Sequence, residues 1–290
     1  VTAIAAEGFA GCAAMTSVSI PGSVTSLGDR AFDGCAALSS ITIPEGVIQV
    51  GDHAFRDCSA VQSVYIPASA TTFGDRILEG STGNVNTVTI LSAAYPLANE
   101  FSHLFYLTSA TVATPAVPPY AFSACPNLSS LSLLDSVTAI GDSAFADCWS
   151  LASVAVPQGV TAIGRDAFRG CRSLANLDLP ASLVSIGDYA FEDCVALPAV
   201  TLPDAVASVG SFAFRGCRSL ANLDLPASLV SIGDYAFEDC VALPAVTLPD
   251  AVASIGSFAF RNCPALATVY VRPYSPPTAG TGLFEGHGVT

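Results

Sequence analysis

Lysine is absent from this chain of 290 residues, methionine and tryptophan occur once each, and charged residues make up only 12% of it. Ordinary soluble proteins carry about twice that share of charge. What charge there is leans one way, with 24 Asp and Glu against ten Arg and a net charge of −14. Such a surface repels a phosphate backbone, so nucleic acid is not expected as a partner. Hydrophobic residues make up 51% of the chain, yet Gly, Pro, Ser or Asp cuts every apolar run short of the ~20 residues that span a bilayer. Membrane insertion is not expected either, and the apolar excess must fill a core. Signatures of catalysis are also missing. The sequence has no Gly-x-Ser-x-Gly elbow and no P-loop, and Gly280-x-Gly282 lacks the third glycine of a dinucleotide loop. It contains no Cys-x-x-Cys, and His53, His103 and His287 are far apart. No metal, cofactor or enzymatic activity is expected.

What the sequence does have is a period. Cys12, Cys35, Cys58, Cys125, Cys148, Cys171, Cys194, Cys217, Cys240 and Cys263 mostly recur every 23 residues, and Ser81 and Leu104 stand where two more are due. A fixed period between about 20 and 50 residues marks a stacked-repeat architecture. Phe precedes Cys by three residues, as at Phe32, Phe145 and Phe191, and Gly precedes it by seven, as at Gly28, Gly141 and Gly187. Apolar residues follow Cys at +3, +6 and +8, often with Pro next, as in Leu174, Leu177, Leu179 and Pro180. The alternating pair predicts a short half-buried strand that the proline ends. Stacked coils would align these strands in a parallel sheet, about 4.8 Å apart.

Asp or Ser follows the glycine, as at Asp188 and Ser211, and reads as the N-cap of a short helical turn carrying Ala190, Phe191 and Cys194 inward. The expected fold class is therefore an α/β repeat solenoid, with one short parallel β-strand and one short helical turn per 23-residue coil. In-register coils hold the thiols parallel, so the ten cysteines are expected to be reduced, buried and unbridged. Residues 1–290 are expected to form a single solenoid of about twelve to thirteen coils. The coils at 77–124 are irregular and the C-terminal coil at 264–290 is degenerate, with Arg272, Pro273, Tyr274, Ser275, Pro276 and His287 departing from the repeat. The chain starts at Val1 and stops at Thr290 inside repeats, which reads as a segment of a longer protein. Residues 167–215 and 213–261 differ only at Val209 and Ile255, a duplication of two coils. Arg169, Glu192, Arg215, Glu238 and Arg261 alternate in sign from coil to coil and read as a solvated ion-pair ladder.

The unit Leu-x-x-Ile-x-Ile-Pro-x-x-Val-x-x-Ile-Gly-x-x-Ala-Phe-x-x-Cys, carried almost in full by residues 38–58 and 174–194, resembles the BspA-type leucine-rich repeat family. The resemblance implies a right-handed leucine-rich-repeat superhelix. It also implies a surface or secreted protein, and several members act as adhesins. The function expected is a non-enzymatic protein-binding or adhesion repeat module of a larger cell-surface or extracellular protein. An intracellular, cytoplasmic leucine-rich-repeat scaffold is the alternative.

Strand residues five and seven after each Cys should face outward. They form a small, polar surface that includes Ser40, Thr42, Tyr65, Asn176, Asp178, Asn222, Asp224 and Tyr270. A protein or glycan ligand on this strand face is the expected partner. Residues 82–124 are a second candidate, because they gather Tyr95, Phe101, Phe105, Tyr106 and Tyr120.

Overall fold

The structure, a computed structural model, describes residues 1–271 and 277–286. Residues Arg272 to Pro276 and His287 of the degenerate last coil therefore lie outside the described residues, as does the terminal Thr290. Every paired strand is parallel to its neighbours, and successive partners are close to 23 residues apart. The wide strands begin with a five-stranded sheet of Ser40–Thr42, Ser63–Ile66, Thr87–Ile90, Ser109–Val112 and Ser130–Leu133. Three two-stranded ribbons continue it: Ser153–Ala155 with Asn176–Asp178, Ala199–Thr201 with Asn222–Asp224, and Ala245–Leu248 with Thr268–Val271.

Prolines account for two of the breaks between these ribbons. Ala175, Ala221 and Ala267 each donate their N–H to the preceding coil at 2.9 Å, but Pro198 and Pro244 fill the same slot and have no N–H. Every described coil except the one after Thr87–Ile90 also has a second, narrower strand that the sequence reading did not anticipate. These two-residue strands, such as Ser185–Ile186 and Ser208–Val209, form a four-stranded and an eight-stranded sheet.

The expected helical turn is absent: no helix occurs among the described residues. The segment from Gly to Cys is instead a run of tight turns. Alternate N–H groups serve different partners. Those of Tyr189, Phe191 and Asp193 donate along the axis to the next coil, to Ser211, Ala213 and Arg215 carbonyls at 2.8 Å. Those of Ala190, Glu192 and Cys194 close turns on carbonyls three residues back. Two residues per coil take positive φ, here Tyr189 (φ 59) and Asp193 (φ 57), which a right-handed helix does not tolerate. The Asp column consequently caps a neighbouring coil and not its own. Asp188 Oδ1 accepts the N–H of Ser211 at 2.7 Å, and Asp29 Oδ1 that of Asp52 at 2.9 Å.

The core is a set of axial ladders. Phe rings stack face to face, at 5.0 Å between Phe32 and Phe55 and 5.2 Å between Phe191 and Phe214. All ten thiols are free; nine are buried and Cys12, in the first of the described coils, is exposed, contrary to expectation. They do more than fill space. Cys194 Sγ donates to the Phe168 carbonyl at 3.3 Å, and the same bond recurs at Cys35, Cys58, Cys148, Cys217 and Cys263. Ser81 obeys the same rule in its thiol-less coil, its hydroxyl donating to the Phe55 carbonyl. Burial pushes the Cys58 thiol up to about 12 and that of Cys125 up to about 11. Neither forms a thiolate near neutral pH. The glycine column is steric: a Cβ on Gly210 would come within 2.6 Å of the Asp188 nitrogen of the coil below.

Phe191→Ala should lower stability by about 3–5 kcal/mol in chemical denaturation, since it opens a cavity in the ring stack. Cys194→Ser should cost less than Cys194→Ala, because serine keeps a donor for the Phe168 carbonyl. Equal losses would mean that the thiol only fills volume.

Candidate functional site

Parallel register turns the outward residues into two straight columns. Ser40, Ser63, Thr87, Ser109 and Ser130 are partners in successive coils, as are Thr42, Tyr65, Thr89, Thr111 and Ser132. Thr87, Thr89, Ser109 and Thr111 escaped the sequence reading because their coils lack the cysteine that sets the count. The alternation of Val88 and Ile90, and of Ala110 and Val112, would have recovered them. The structure therefore brings Ser40, Thr42 and Tyr65 together in one hydroxyl-bearing sheet. Asn176 and Asp178 lie on one ribbon, Asn222 and Asp224 on the next, and Tyr270 on the last.

Exposure differs along this face. Thr42, Asn176, Asp178, Asn222 and Asp224 are exposed, Ser40 and Tyr65 are half-buried, and Tyr270 is 58% exposed. The Tyr65 hydroxyl donates to Glu45 Oε1 at 3.2 Å; partial burial first, and then that carboxylate, push its pKa up. Asp178 and Asp224 flank an open depression of about 580 Å3 floored by Leu179 and Leu202, and Asp204 joins them at its rim. Asp204 was not foreseen, because it follows Pro203 outside the strand. A second open depression of about 550 Å3 runs past Asn176, Ser153 and Ala199. No group of three or more His, Cys, Asp or Glu positioned to hold a metal ion occurs among the described residues.

The irregular coils divide their aromatics. Tyr95 and Phe101 refill the core, whereas Phe105, Tyr106 and Tyr120 are 62%, 55% and 55% exposed. Phe105 and Tyr106 pack edge to face, and Tyr106 borders a shallow depression with Gln62, Asn84 and Asn86.

The alternating charges form a real ladder, in which the carboxylates are withdrawn from solvent and Arg215 and Arg261 stay 41% and 38% exposed. Arg215 lies 3.2 Å from Glu192 and 2.9 Å from Glu238, and Arg261 lies 3.5 Å from Glu238. Glu238 is buried. Arg169 leaves the column and pairs with Asp147 and Asp166 at 3.4 and 3.2 Å. Beside the ladder runs a half-buried aromatic column that the sequence reading missed, Tyr189, Phe212, Tyr235 and Phe258, with rings 4.7 to 4.9 Å apart. The recurrence of a large ring five residues before Cys was its signal. Arg215 and Arg261 sit over Phe212 and Phe258 at 5.6 and 5.4 Å, tying the two columns together. Burial pushes the Glu238 carboxyl above the ordinary carboxylate range, against the pull of Arg215 and Arg261.

The family described as BspA type leucine rich repeat region matches the chain in six copies, over residues 1–108, 115–217 and 184–287. Among solved structures, a leucine-rich repeat protein from Bacteroides ovatus is 26% identical over 99% of this chain and 80% of its own, with a TM-score of 0.52. A leucine-rich repeat protein from Eubacterium ventriosum is 25% identical over 94% of this chain and 82% of its own, with a TM-score of 0.50. The T. pallidum leucine-rich repeat protein is 36% identical over 52% of this chain and 70% of its own, with a TM-score of 0.50. No curated protein matches the chain by sequence.

The folded state holds the Glu238 proton more tightly than the unfolded chain does. That contribution is fully present below the unfolded glutamate pKa of about 4.3 and is lost as pH rises through the raised folded value. In urea unfolding at pH 5 and pH 7.5, the advantage of wild type over Glu238→Gln should therefore be larger at pH 5. An advantage larger at pH 7.5 would mean that the two arginines outweigh burial.

Proposed function

The chain belongs to the BspA-type leucine-rich repeat family, and from that premise we propose that it is a non-enzymatic adhesion module that binds a protein or glycan along its strand face. The coils at 1–290 act as one right-handed unit of a larger cell-surface or extracellular protein. One observation carries the reading: the outward residues line up in two columns, polar except at Ala155, Ala199 and Ala245, whose depressions are open and shallow. Small-molecule sites are enclosed and mostly apolar, with a few convergent polar groups. A long, smooth surface suits an extended partner that touches several coils at once. Its larger groups, Tyr65, Asp178, Asp224 and Tyr270, are spread over many coils, so only such a partner reaches them together. The surface location rests on what the family resemblance implies. It is compatible with the lack, among the described residues, of any helix long and apolar enough to cross a membrane. The alternative, an intracellular scaffold, would use the same face.

The net charge of −14 favours partners with basic patches. Binding to an array of purified matrix proteins, host-surface proteins and glycans should be measured for wild type and for the folded variant Tyr65→Ala, Asp178→Ala, Asp224→Ala, Tyr270→Ala. A loss of affinity of about tenfold or more is expected, together with weaker wild-type binding as salt rises. Unchanged binding by the variant would remove the strand face from consideration and turn attention to Phe105, Tyr106 and Tyr120.

A further inference from the structure

The wall of the solenoid is open between the turn segment at 74–82 and the segment at 95–102. A cleft of about 420 Å3 lies there, more enclosed than the depressions of the strand face. Ile77, Leu78 and Tyr95, all buried side chains, form its apolar floor together with Pro96.

The cause is a single column. Every seventh residue before the Cys slot is glycine where coils close tightly, and a Cβ on Gly74 would lie 2.4 Å from the Asp52 nitrogen below it. In the next coil that slot holds Leu97. A residue with a Cβ does not fit such a contact, and here the coil stands away from Gly74 and Asp75. The narrow four-stranded sheet stops at Thr72–Phe73, directly before this coil. On the other side of the coil the wide strands continue unbroken, Thr87–Ile90 pairing with Ser63–Ile66 over four residues.

The separation leaves main-chain groups without partners on both walls. In the coil below, the N–H groups of His53, Phe55 and Asp57 donate along the axis to the carbonyls of Asp75, Ile77 and Glu79 at 2.8 to 2.9 Å. The equivalent donors one coil on are Arg76, Leu78 and Gly80, and among the described residues none has an acceptor. The carbonyls that should receive them, those of Ala98, Glu100 and Ser102, accept no hydrogen bond either. The detached coil satisfies part of itself internally. Glu100 Oε2 accepts the Ala98 N–H at 3.0 Å, the bond that Asp75 would otherwise take, and Glu100 Oε1 accepts from the Tyr95 hydroxyl at 2.9 Å.

Alternate N–H donors on one wall and alternate C=O acceptors on the other, over an apolar floor, are the complement of a further stretch of polypeptide backbone, since in the regular coils the same donors pair with the main chain of the next turn segment. We propose that this cleft is a second binding site, which takes an uncharged peptide segment of a partner protein by main-chain hydrogen bonds to Arg76, Leu78 and Gly80 and to the carbonyls of Ala98, Glu100 and Ser102. Small apolar side chains of the peptide meet Ile77 and Leu78. The site is independent of the strand face.

Amide hydrogen exchange tests it, with a pool of capped octapeptides of Ala, Val, Ser and Thr as probe. In the free chain, the Arg76, Leu78 and Gly80 amides should exchange about 100-fold faster than their paired counterparts Tyr189, Phe191 and Asp193. The pool should slow them at least tenfold. Leu97→Gly should close the cleft, so that the same amides exchange slowly without peptide and gain nothing from it. Slow exchange in the free wild-type chain, or fast exchange that the pool leaves unchanged, would overturn the proposal. So would equal protection by N-acetylalanine amide, which would make the site one for small amides. Protection confined to 63–66 and 87–90 would overturn it in favour of the strand face, and loss of strand-face binding in the quadruple variant leaves it untouched.

Discussion

Each coil donates its main-chain N–H groups along the axis to the carbonyls of the next, and everything else in the molecule accommodates that contact. The bond at 2.8 Å from Phe191 to Ala213 exists only if the two coils approach to strand spacing at that point of their circumference. At that spacing a side chain's nearest neighbour is its own equivalent 23 residues away. A residue type is therefore admissible at a position only if it packs against a copy of itself or of its column mate. Flat Phe rings stack, thiols donate a hydrogen bond to the carbonyl below, and Asp accepts from the backbone above. Glycine occupies the column where backbone meets backbone. The period is thus a packing rule before it is a sequence pattern.

This explains which parts of the structure could be read from the residues. Phe, Cys and Gly columns are chemically strict, so their recurrence disclosed the stacked coils, the parallel strands and the buried thiols. The segment from Asp188 to Cys194 was misread as a helical turn for an instructive reason. An N-cap residue followed by Ala and Phe on one arc looks the same whether the Asp oxygen accepts from its own turn or from the coil above. The positive φ at Tyr189 and Asp193 decides between them, and neither residue type announces it. The burial of Glu238 was hidden likewise, since a carboxylate two residues before Cys is solvated in most folds. Here arginines on either side, themselves over aromatic rings, make the buried position tolerable.

The outward columns obey no such strictness, which is why the candidate face was only partly legible. Nothing forces Ser40, Tyr65 or Asp178 to match its neighbour, so these positions are free to carry a binding specificity. The strand face is smooth where coils repeat, and the molecule is irregular where one coil abandons the rule. Leu97 in the glycine column is the clearest case: one side chain too large for the backbone contact releases six main-chain groups that every regular coil keeps paired. The sequence reading marked this coil as irregular from its missing cysteine. It did not locate the cause, because Leu97 was one more apolar residue in an apolar stretch.

The same packing rule governs how the chain grew. The duplicated unit spans two coils, not one, and several columns alternate with that longer period. Charges read Glu192, Arg215, Glu238, Arg261; the half-buried rings read Tyr189, Phe212, Tyr235, Phe258; the axial acceptors read Asp188, Ser211, Asp234, Ser257. Inserting a single coil would set Glu against Glu or Arg against Arg on the ladder, whereas inserting two preserves every contact. Pro198 and Pro244 are equivalent positions within the two copies, so the strand ladder is interrupted once in each copy and is intact within each ribbon. A paired coil is accordingly the smallest piece that carries a complete set of axial partners. Adding such a piece lengthens the strand face by one Asn-x-Asp and one Ala-x-Thr strand without disturbing the rest. A surface extended in this way gains reach along a long partner, which an enclosed site of fixed geometry could not exploit.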